Sequence, residues 1–175
     1  MKAKSTEEKP WSSRLKKWSQ ELISIVILMT LVSMALDWYR STSMPSGEAP
    51  SLKAMTTQGL PVDIIQQSQE KPVVLYFWAT WCGACKFVSP TINWFASDHQ
   101  VLSIALSSGT NERVQQYMTA KEYDFPVIND TTGLISRQWN ISVTPTVVII
   151  NKGQIESIST GIITPIGLWL RILFA

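Results

Sequence analysis

An unbroken apolar run leads directly into a pair of cysteines and constrains the fold more than any other feature of the chain. The segment reads LYFWATWCGAC from Leu75 to Cys85 and contains both cysteines of the chain. Apolar residues without alternation are typical of a strand that is buried on both faces of a sheet. A Cys-x-x-Cys pair after such a strand is typical of a redox site. The sequence therefore predicts an interior strand that ends at a dithiol.

Zinc binding and structural crosslinking fit this pair less well than redox chemistry. A structural zinc site needs about four ligands, whereas the chain has two cysteines and one histidine, His99. A structural disulfide across so short a loop would remove little entropy from the unfolded chain. We therefore predict no metal site, and we expect His99 to be a surface residue without a part in the chemistry.

The N-terminal segment predicts a membrane anchor. Residues Leu22–Leu36 contain no charge, Trp18 precedes them, and a Trp-Tyr pair follows closely. Such a stretch approaches the roughly 20 residues that cross a bilayer, and aromatic residues suit its two interfaces. Basic residues precede the stretch, which places the N-terminus in the cytoplasm. We therefore predict a cytoplasmic basic segment at 1–21 and a single transmembrane helix at 22–39.

A cleaved signal peptide is the alternative use of this run. Its small residues Ser33 to Ala35 offer a possible cleavage site, although the long N-terminal region and the aromatic flanks favour a retained anchor. A buried soluble helix is disfavoured, because the apolar residues surround the helix instead of forming one stripe.

The rest of the chain predicts a linker and one globular α/β domain. Residues 40–50 are rich in Ser, Pro and Gly and form the predicted linker. The domain is placed at 51–175, and its length of about 125 residues suffices to bury a core without disulfide crosslinks. The net charge is only +2, from 15 basic and 13 acidic residues, which argues against nucleic-acid binding.

Residue patterns divide the domain into alternating strands and helices, which indicates helices layered on a central mixed sheet. A hairpin that turns near Gly59 and a short helical approach are expected within 52–65. Further strands are expected at 73–78, 101–106, 125–128, 146–150 and 154–159. Helices are expected at 85–95, with a kink at Pro90, at 111–123, with Asn111 as a possible cap, at 133–139 and at 165–175.

These motifs resemble those of the thioredoxin superfamily. The similarity runs through Tyr76–Lys86 and Pro90, resumes at Val143–Thr146, and continues to Gly153 and Gly161. It covers nearly all of the predicted domain and implies a thioredoxin-like fold. It also implies activity as a protein thiol–disulfide oxidoreductase that needs no cofactor.

Within the superfamily the chain is most similar to the membrane-tethered, extracytoplasmic group related to TlpA. The predicted hairpin, the anchor and the long section between Ser107 and Asn140 carry this narrower resemblance. In that group the chain is most similar to the suppressor-of-copper-sensitivity protein D type, which implies a setting in copper tolerance. The resemblance also implies a Gram-negative cell and a membrane electron-transfer partner of the DsbD/ScsB type that resets the cysteines.

The two cysteines are expected to have different roles. Cys82 should lie at the N-terminus of a helix, where N–H groups and the helix dipole stabilise a thiolate, and should therefore be the nucleophile. Cys85, one turn further in, should be more buried and should resolve the mixed disulfide. The resemblance implies that Pro145 is a cis proline opposite the pair and exposes the Thr144 backbone to substrate. Trp81 is expected to shield the site or to contact partners.

Two positions depart from the family pattern. Thioredoxins carry a buried Asp where this chain has Tyr76, and TlpA-like proteins often carry a Glu where it has Val88. Both acids are associated with proton transfer at the buried thiol. That role is left open here among water, the Tyr76 hydroxyl and the surroundings of Lys86.

The predicted function is a membrane-anchored oxidoreductase of the bacterial inner membrane that exchanges electrons with protein cysteines in the periplasm. One alternative is a dedicated reductant for the haem-binding cysteines of apocytochrome c. A different class is a metal-handling protein that holds Cu(I) between the two thiolates, since soft ligands suit that ion.

Overall fold

The computed structural model describes residues 18, 20–21, 23–25, 28 and 47–175. The chain divides into two compact units, 1–39 and 40–175. The described residues of the first unit are helical and exposed. Most of the predicted basic segment, and most of the predicted anchor, lie outside the described residues. Among the residues that are described, no helix has the length and apolarity needed to cross a membrane.

The second unit is built on a six-stranded mixed sheet with the order β1-β8-β7-β4-β5-β6, and β2 and β3 form a separate hairpin. The strands are β1 (Gly47–Glu48), β2 (Lys53–Met55), β3 (Pro61–Asp63), β4 (Val73–Trp78), β5 (Gln100–Leu106), β6 (Val127–Asp130), β7 (Thr146–Asn151) and β8 (Gln154–Thr160). The helices of this unit are α1 (Ile64–Gln67), α2 (Cys85–Phe95), α3 (Asn111–Lys121), α4 (Leu134–Gln138) and α5 (Pro165–Leu173).

Parallel and antiparallel pairing meet at β4. This strand is parallel to β5, and β5 is parallel to β6, whereas β7 runs antiparallel to both β4 and β8. The predicted thioredoxin-like α/β fold with a central mixed sheet is confirmed.

The central position of β4 explains its unbroken apolar sequence. All six of its residues are buried, and successive side chains point to opposite faces of the sheet. Val74, Tyr76 and Trp78 belong to one hydrophobic cluster, which also contains both cysteines. The alternate residues of β4 belong to the cluster on the other face. The strand therefore contributes to both cores, and its carboxyl end leads into the loop that carries Cys82, residues 79–84, which we call the cysteine loop.

The strand predicted at 125–128 begins two residues later, at Val127. Pro126 has no N–H group to donate to a sheet ladder, although its carbonyl accepts the Ser103 N–H at 2.9 Å. Phe125 is buried in the core although it precedes the strand. Its apolar character therefore reflects burial rather than sheet pairing.

Helix α3 begins at Asn111 as predicted, but its N-cap and its C-terminal end differ from the prediction. Thr110, not Asn111, is the N-cap, and its side-chain oxygen accepts the Arg113 N–H. The helix stops before Tyr123 because Glu122 adopts the left-handed conformation, with φ at 56°. Thr and Asn are both favoured at the N-cap of a helix, so the sequence alone did not distinguish Thr110 from Asn111 as the capping residue.

The edge strand β1 lies inside the segment predicted as a linker. Gly47 and Glu48 pair with Ile155 and Gln154 of β8, and the following Ala49 is buried. Two residues are too few to show the alternation that identifies a strand. Pairing therefore begins before the predicted domain boundary at residue 51.

Candidate active site

Cys82 lies in the loop between β4 and α2, and Cys85 is the first residue of α2. They form a disulfide with a Cα–Cα distance of 5.3 Å. The backbone N–H of Cys85, the first residue of α2, donates to the Cys82 sulfur at 3.1 Å. A sulfur that faces the N-terminal end of a helix is favoured as a thiolate once the disulfide opens. The structure thus directs an N–H group of the helix end at the Cys82 sulfur, an arrangement that favours a thiolate there.

Both sulfur-bearing residues are buried in this oxidised form. Cys82 is 5% exposed and Cys85 is 1% exposed. The order agrees with the expected difference between the two residues, but Cys82 is much less open than expected. An attacking thiol therefore reaches the pair only through the small exposed part of Cys82.

The two tryptophans near the pair have opposite environments. Trp78 is fully buried and donates its Nε1–H to the Ser103 hydroxyl at 3.1 Å. Trp81 is 66% exposed and donates its Nε1–H to the Ser107 carbonyl at 3.2 Å. The expected core position of Trp78 is confirmed. The Trp81 ring is held at the surface immediately before Cys82, where an incoming protein segment can contact it.

Ser108 positions the cysteine loop, and the sequence reasoning missed it. Its hydroxyl accepts the Thr80 N–H at 3.0 Å and donates to the Leu106 carbonyl at 2.9 Å. Ser108 is buried although it is polar. Its place two residues after β5, beside the carboxyl end of parallel β4, was the feature that could have identified it.

The Pro145 segment lies at the same edge of the sheet as the cysteine loop. In the antiparallel register of β4 and β7, Phe77 is opposite Thr146, so Pro145 lies at the end of β4 from which the loop departs. The Thr144–Pro145 peptide bond is cis, as the family resemblance implied. Pro145 is buried, while Thr144 is half-buried.

A second segment borders Pro145. The Gly161 N–H donates to the Pro145 carbonyl at 2.8 Å, which holds the chain after β8 against this loop. The next residue, Ile162, is 68% exposed. Sequence reasoning did not select Ile162, because its position beside Pro145 depends on pairing between distant parts of the chain.

The buried side chains next to the cysteine pair, Tyr76, Val88 and Ser89, are uncharged. Burial raises the pKa of the Tyr76 phenol far above its ordinary value, although a hydrogen bond with Ser89 opposes that shift. The Tyr76 hydroxyl and the Ser89 hydroxyl are 2.9 Å apart. Val88 is fully buried, and Lys86 is exposed on the outer side of α2. No carboxylate takes the place of the two acids that the family pattern would supply at Tyr76 and Val88.

His99 lies away from the cysteine pair, beyond the other end of α2. Its ring stacks on Phe95 with centroids 5.4 Å apart, and it is half-buried rather than fully at the surface. Within the described part of the chain, no group of three or more His, Cys, Asp or Glu side chains could hold a metal ion.

Comparison with known proteins agrees with this fold and site. Residues 45–158 match the AhpC/TSA family. The chain is 35% identical over 163 residues to a thioredoxin-like protein of Haemophilus influenzae, a match that covers 93% of this chain and 97% of that protein. It is 26% identical over 152 residues to sporulation thiol-disulfide oxidoreductase A of Bacillus subtilis, covering 78% of this chain and 91% of that protein.

A solved structure shows the same fold. The crystal structure of StoA from Bacillus subtilis superposes with a TM-score of 0.62 at 24% identity, covering 73% of this chain and 98% of that one. The residues that match the AhpC/TSA family, 45–158, include β4, the cysteine loop and α2, which build the site described above. The chain belongs to the AhpC/TSA family and is a thioredoxin-like thiol–disulfide oxidoreductase.

Proposed function

We propose that the chain is a single-pass protein of the bacterial inner membrane whose periplasmic domain exchanges electrons with protein cysteines. The observation that carries the chemistry is the Cys82–Cys85 disulfide at the start of α2, with the Cys85 N–H directed at the Cys82 sulfur. The charge-free stretch Leu22–Leu36 and the basic residues before it support the anchor and its orientation.

Cys82 and Cys85 act in sequence in this proposal. The Cys82 thiolate attacks a substrate disulfide and forms a mixed disulfide, and Cys85 then attacks Cys82 and releases the reduced substrate. The reverse sequence oxidises a substrate dithiol. The burial of Cys85 keeps it from reacting with external thiols before Cys82 does.

Substrate binds, in this proposal, across the surface formed by Trp81, Thr144 and Pro145, with Ile162 at its border. The exposed indole of Trp81 offers apolar contact area. The Thr144 backbone offers peptide groups for strand-like pairing with an extended substrate segment. Recognition through backbone groups would allow several protein substrates to use one site.

The narrower subgroup and the resetting partner belong to the same proposal. We place the chain in the TlpA-related group, nearest the suppressor-of-copper-sensitivity protein D type, with a function in copper tolerance. Its cysteines would then be reset by a membrane electron-transfer protein of the DsbD/ScsB type.

Thiol trapping in cells tests the proposed electron path. With the resetting protein present, we expect a substantial fraction of Cys82 and Cys85 to be trapped as thiols. When that protein is deleted, we expect the pair to shift to the disulfide, because electrons no longer reach it. A redox state that does not change on deletion would contradict this partner.

Protease treatment of spheroplasts tests the location. We expect added protease to digest residues 40–175 while the untreated protein fractionates with membranes, because the anchor would hold the domain outside the cytoplasm. A cytoplasmic protein should remain intact as the control. Recovery of a soluble form that starts near Leu36 would instead support a cleaved signal peptide.

A further inference from the structure

Opening the disulfide creates a charge in a place that disfavours it. When Cys82 is attacked, the Cys85 sulfur departs with the electron pair, and Cys85 is only 1% exposed. Its surroundings are the apolar cluster that contains Val88, Ile92 and Val147. A buried anion without a partner is costly. The departing sulfur therefore needs a proton, and the neighbouring Val88 side chain cannot supply one.

Ser89 is the polar side chain placed to supply that proton. It is 1% exposed and follows Cys85 by one turn on the buried face of α2. Side chains of a helix lean toward its N-terminus, so Ser89 leans toward Cys85. The helix thus places the Ser89 hydroxyl on the same buried face as Cys85, one turn further along the chain.

Two tyrosines approach Ser89. The Tyr76 hydroxyl lies 2.9 Å from the Ser89 oxygen, and Tyr123 lies close enough that Ser89 lowers the pKa of its phenol, against the larger opposing effect of burial. A serine oxygen has two lone pairs and one proton. If both phenols donate, both lone pairs are filled, and the proton of Ser89 is left for a third partner on the side of Cys85.

The two tyrosines differ in access to water. Tyr76 is fully buried, whereas Tyr123 is half-buried and its ring stacks on Phe125 with centroids 5.4 Å apart. Tyr123 therefore has access to solvent, whereas Tyr76 has none. Burial raises the pKa of both phenols, so both keep their protons at neutral pH and can act as donors.

We infer that Ser89 relays a proton between the Cys85 sulfur and Tyr123, while Tyr76 holds the Ser89 hydroxyl in position. The inference rests on the proposed roles of Cys82 and Cys85. It assigns to three hydroxyls the proton transfer that no carboxylate of the described site can perform.

The relay accounts for every proton and electron when a dithiol reduces the protein. An incoming thiolate forms a bond to the Cys82 sulfur, and the Cys82–Cys85 bond breaks with its electron pair on Cys85. The Cys85 sulfur takes the Ser89 proton, Ser89 takes the Tyr123 proton, and Tyr123 takes one from water. The second thiol of the reductant then gives its proton to the solvent, forms the disulfide of the oxidised reductant and displaces Cys82 as a thiolate. The cysteine pair has then gained two electrons.

Reduction of the full-length protein by dithiothreitol tests the relay without any physiological partner. The stopped-flow rate is followed by tryptophan fluorescence for Ser89→Ala, Ser89→Thr, Tyr123→Phe and Tyr117→Phe. Tyr117→Phe is the matched control, because it removes a half-buried hydroxyl from the same aromatic cluster. Thermal unfolding of each variant separates slower chemistry from a loosened fold. A negative result would not bear on the proposed resetting partner or on the proposed location, because the assay depends on neither of them.

Positioned proton transfer typically contributes about 100-fold or more to a rate, and water can replace part of that contribution, so we expect Ser89→Ala to be reduced at least about tenfold more slowly than the wild type. Tyr123→Phe should also be slower, and Ser89→Thr and Tyr117→Phe should remain within about twofold of the wild type. In Ser89→Ala the rate should rise with the concentration of a small buffer acid, whereas the wild-type rate should not. A loosened structure alone would not create that dependence.

Two results would overturn the relay. One is a Ser89→Ala rate equal to that of the wild type or of Tyr117→Phe. The other is slow reduction of Ser89→Ala that is insensitive to buffer acid. If Ser89→Ala does not fold, Tyr123→Phe decides alone, because Tyr123 is a half-buried residue and the substitution keeps its ring contacts. Wild-type kinetics in Tyr123→Phe would then reject the relay.

Discussion

Replacement of Cys82 by alanine is expected to abolish disulfide exchange, and Cys85→Ala is expected to accumulate mixed disulfides with protein substrates. The reason is the asymmetry of the pair, since the Cys85 N–H favours a thiolate at Cys82 and Cys85 is the more buried residue. Without Cys85, the mixed disulfide at Cys82 lacks its internal resolving thiol. Exchange is measured by insulin reduction, and trapped complexes by non-reducing electrophoresis.

Each variant serves as the control for the other, because the chain contains only two cysteines. A trapped complex in Cys85→Ala that also appears in Cys82→Ala would indicate nonspecific oxidation. Limiting alkylation of the reduced wild type gives an independent measurement and should label Cys82 first. Faster labelling of Cys85 would reverse the assignment of the nucleophile.

Local sequence patterns predicted the part of the site whose residues are close together in the sequence. The apolar residues of β4 and the cysteine pair lie in one continuous segment, Val73–Cys85, so their arrangement needed no knowledge of distant contacts. The same reasoning located α2 with both bounds, because its apolar positions repeat along one face.

Residues that act through distant partners could not be found in this way. Ser108 binds the Thr80 N–H across the sheet, and Ser89 meets Tyr76 from the neighbouring layer. A serine in a sequence does not show whether it is exposed or buried with a partner. Pro145 was placed near the cysteines only by family resemblance, and the β4–β7 register supplies the physical reason.

The two tryptophans that flank Ala79 and Thr80 are expected to separate stability from substrate exchange. Trp78→Ala should lower the free energy of unfolding by about 3–5 kcal/mol, the usual cost of removing a large buried ring. The Trp78 ring packs against Tyr76, Tyr117 and Phe125. Trp81→Ala should change stability by less than about 1 kcal/mol, because surface substitutions rarely cost more. It should nevertheless slow exchange with a protein substrate.

Denaturation in urea with the disulfide intact measures the first effect, and exchange with insulin compared with dithiothreitol measures the second. Trp78→Phe is the matched control, because it keeps a ring in the core but removes the indole N–H that Ser103 accepts. It should cost about 1–3 kcal/mol, the penalty of leaving a buried polar group unpaired. Trp81→Ala should react with dithiothreitol at the wild-type rate, since a small thiol needs no docking surface.

Equal loss of stability in Trp78→Ala and Trp81→Ala would contradict the buried and exposed positions of the two rings. Equal exchange of Trp81→Ala and the wild type with insulin would remove Trp81 from the proposed substrate surface.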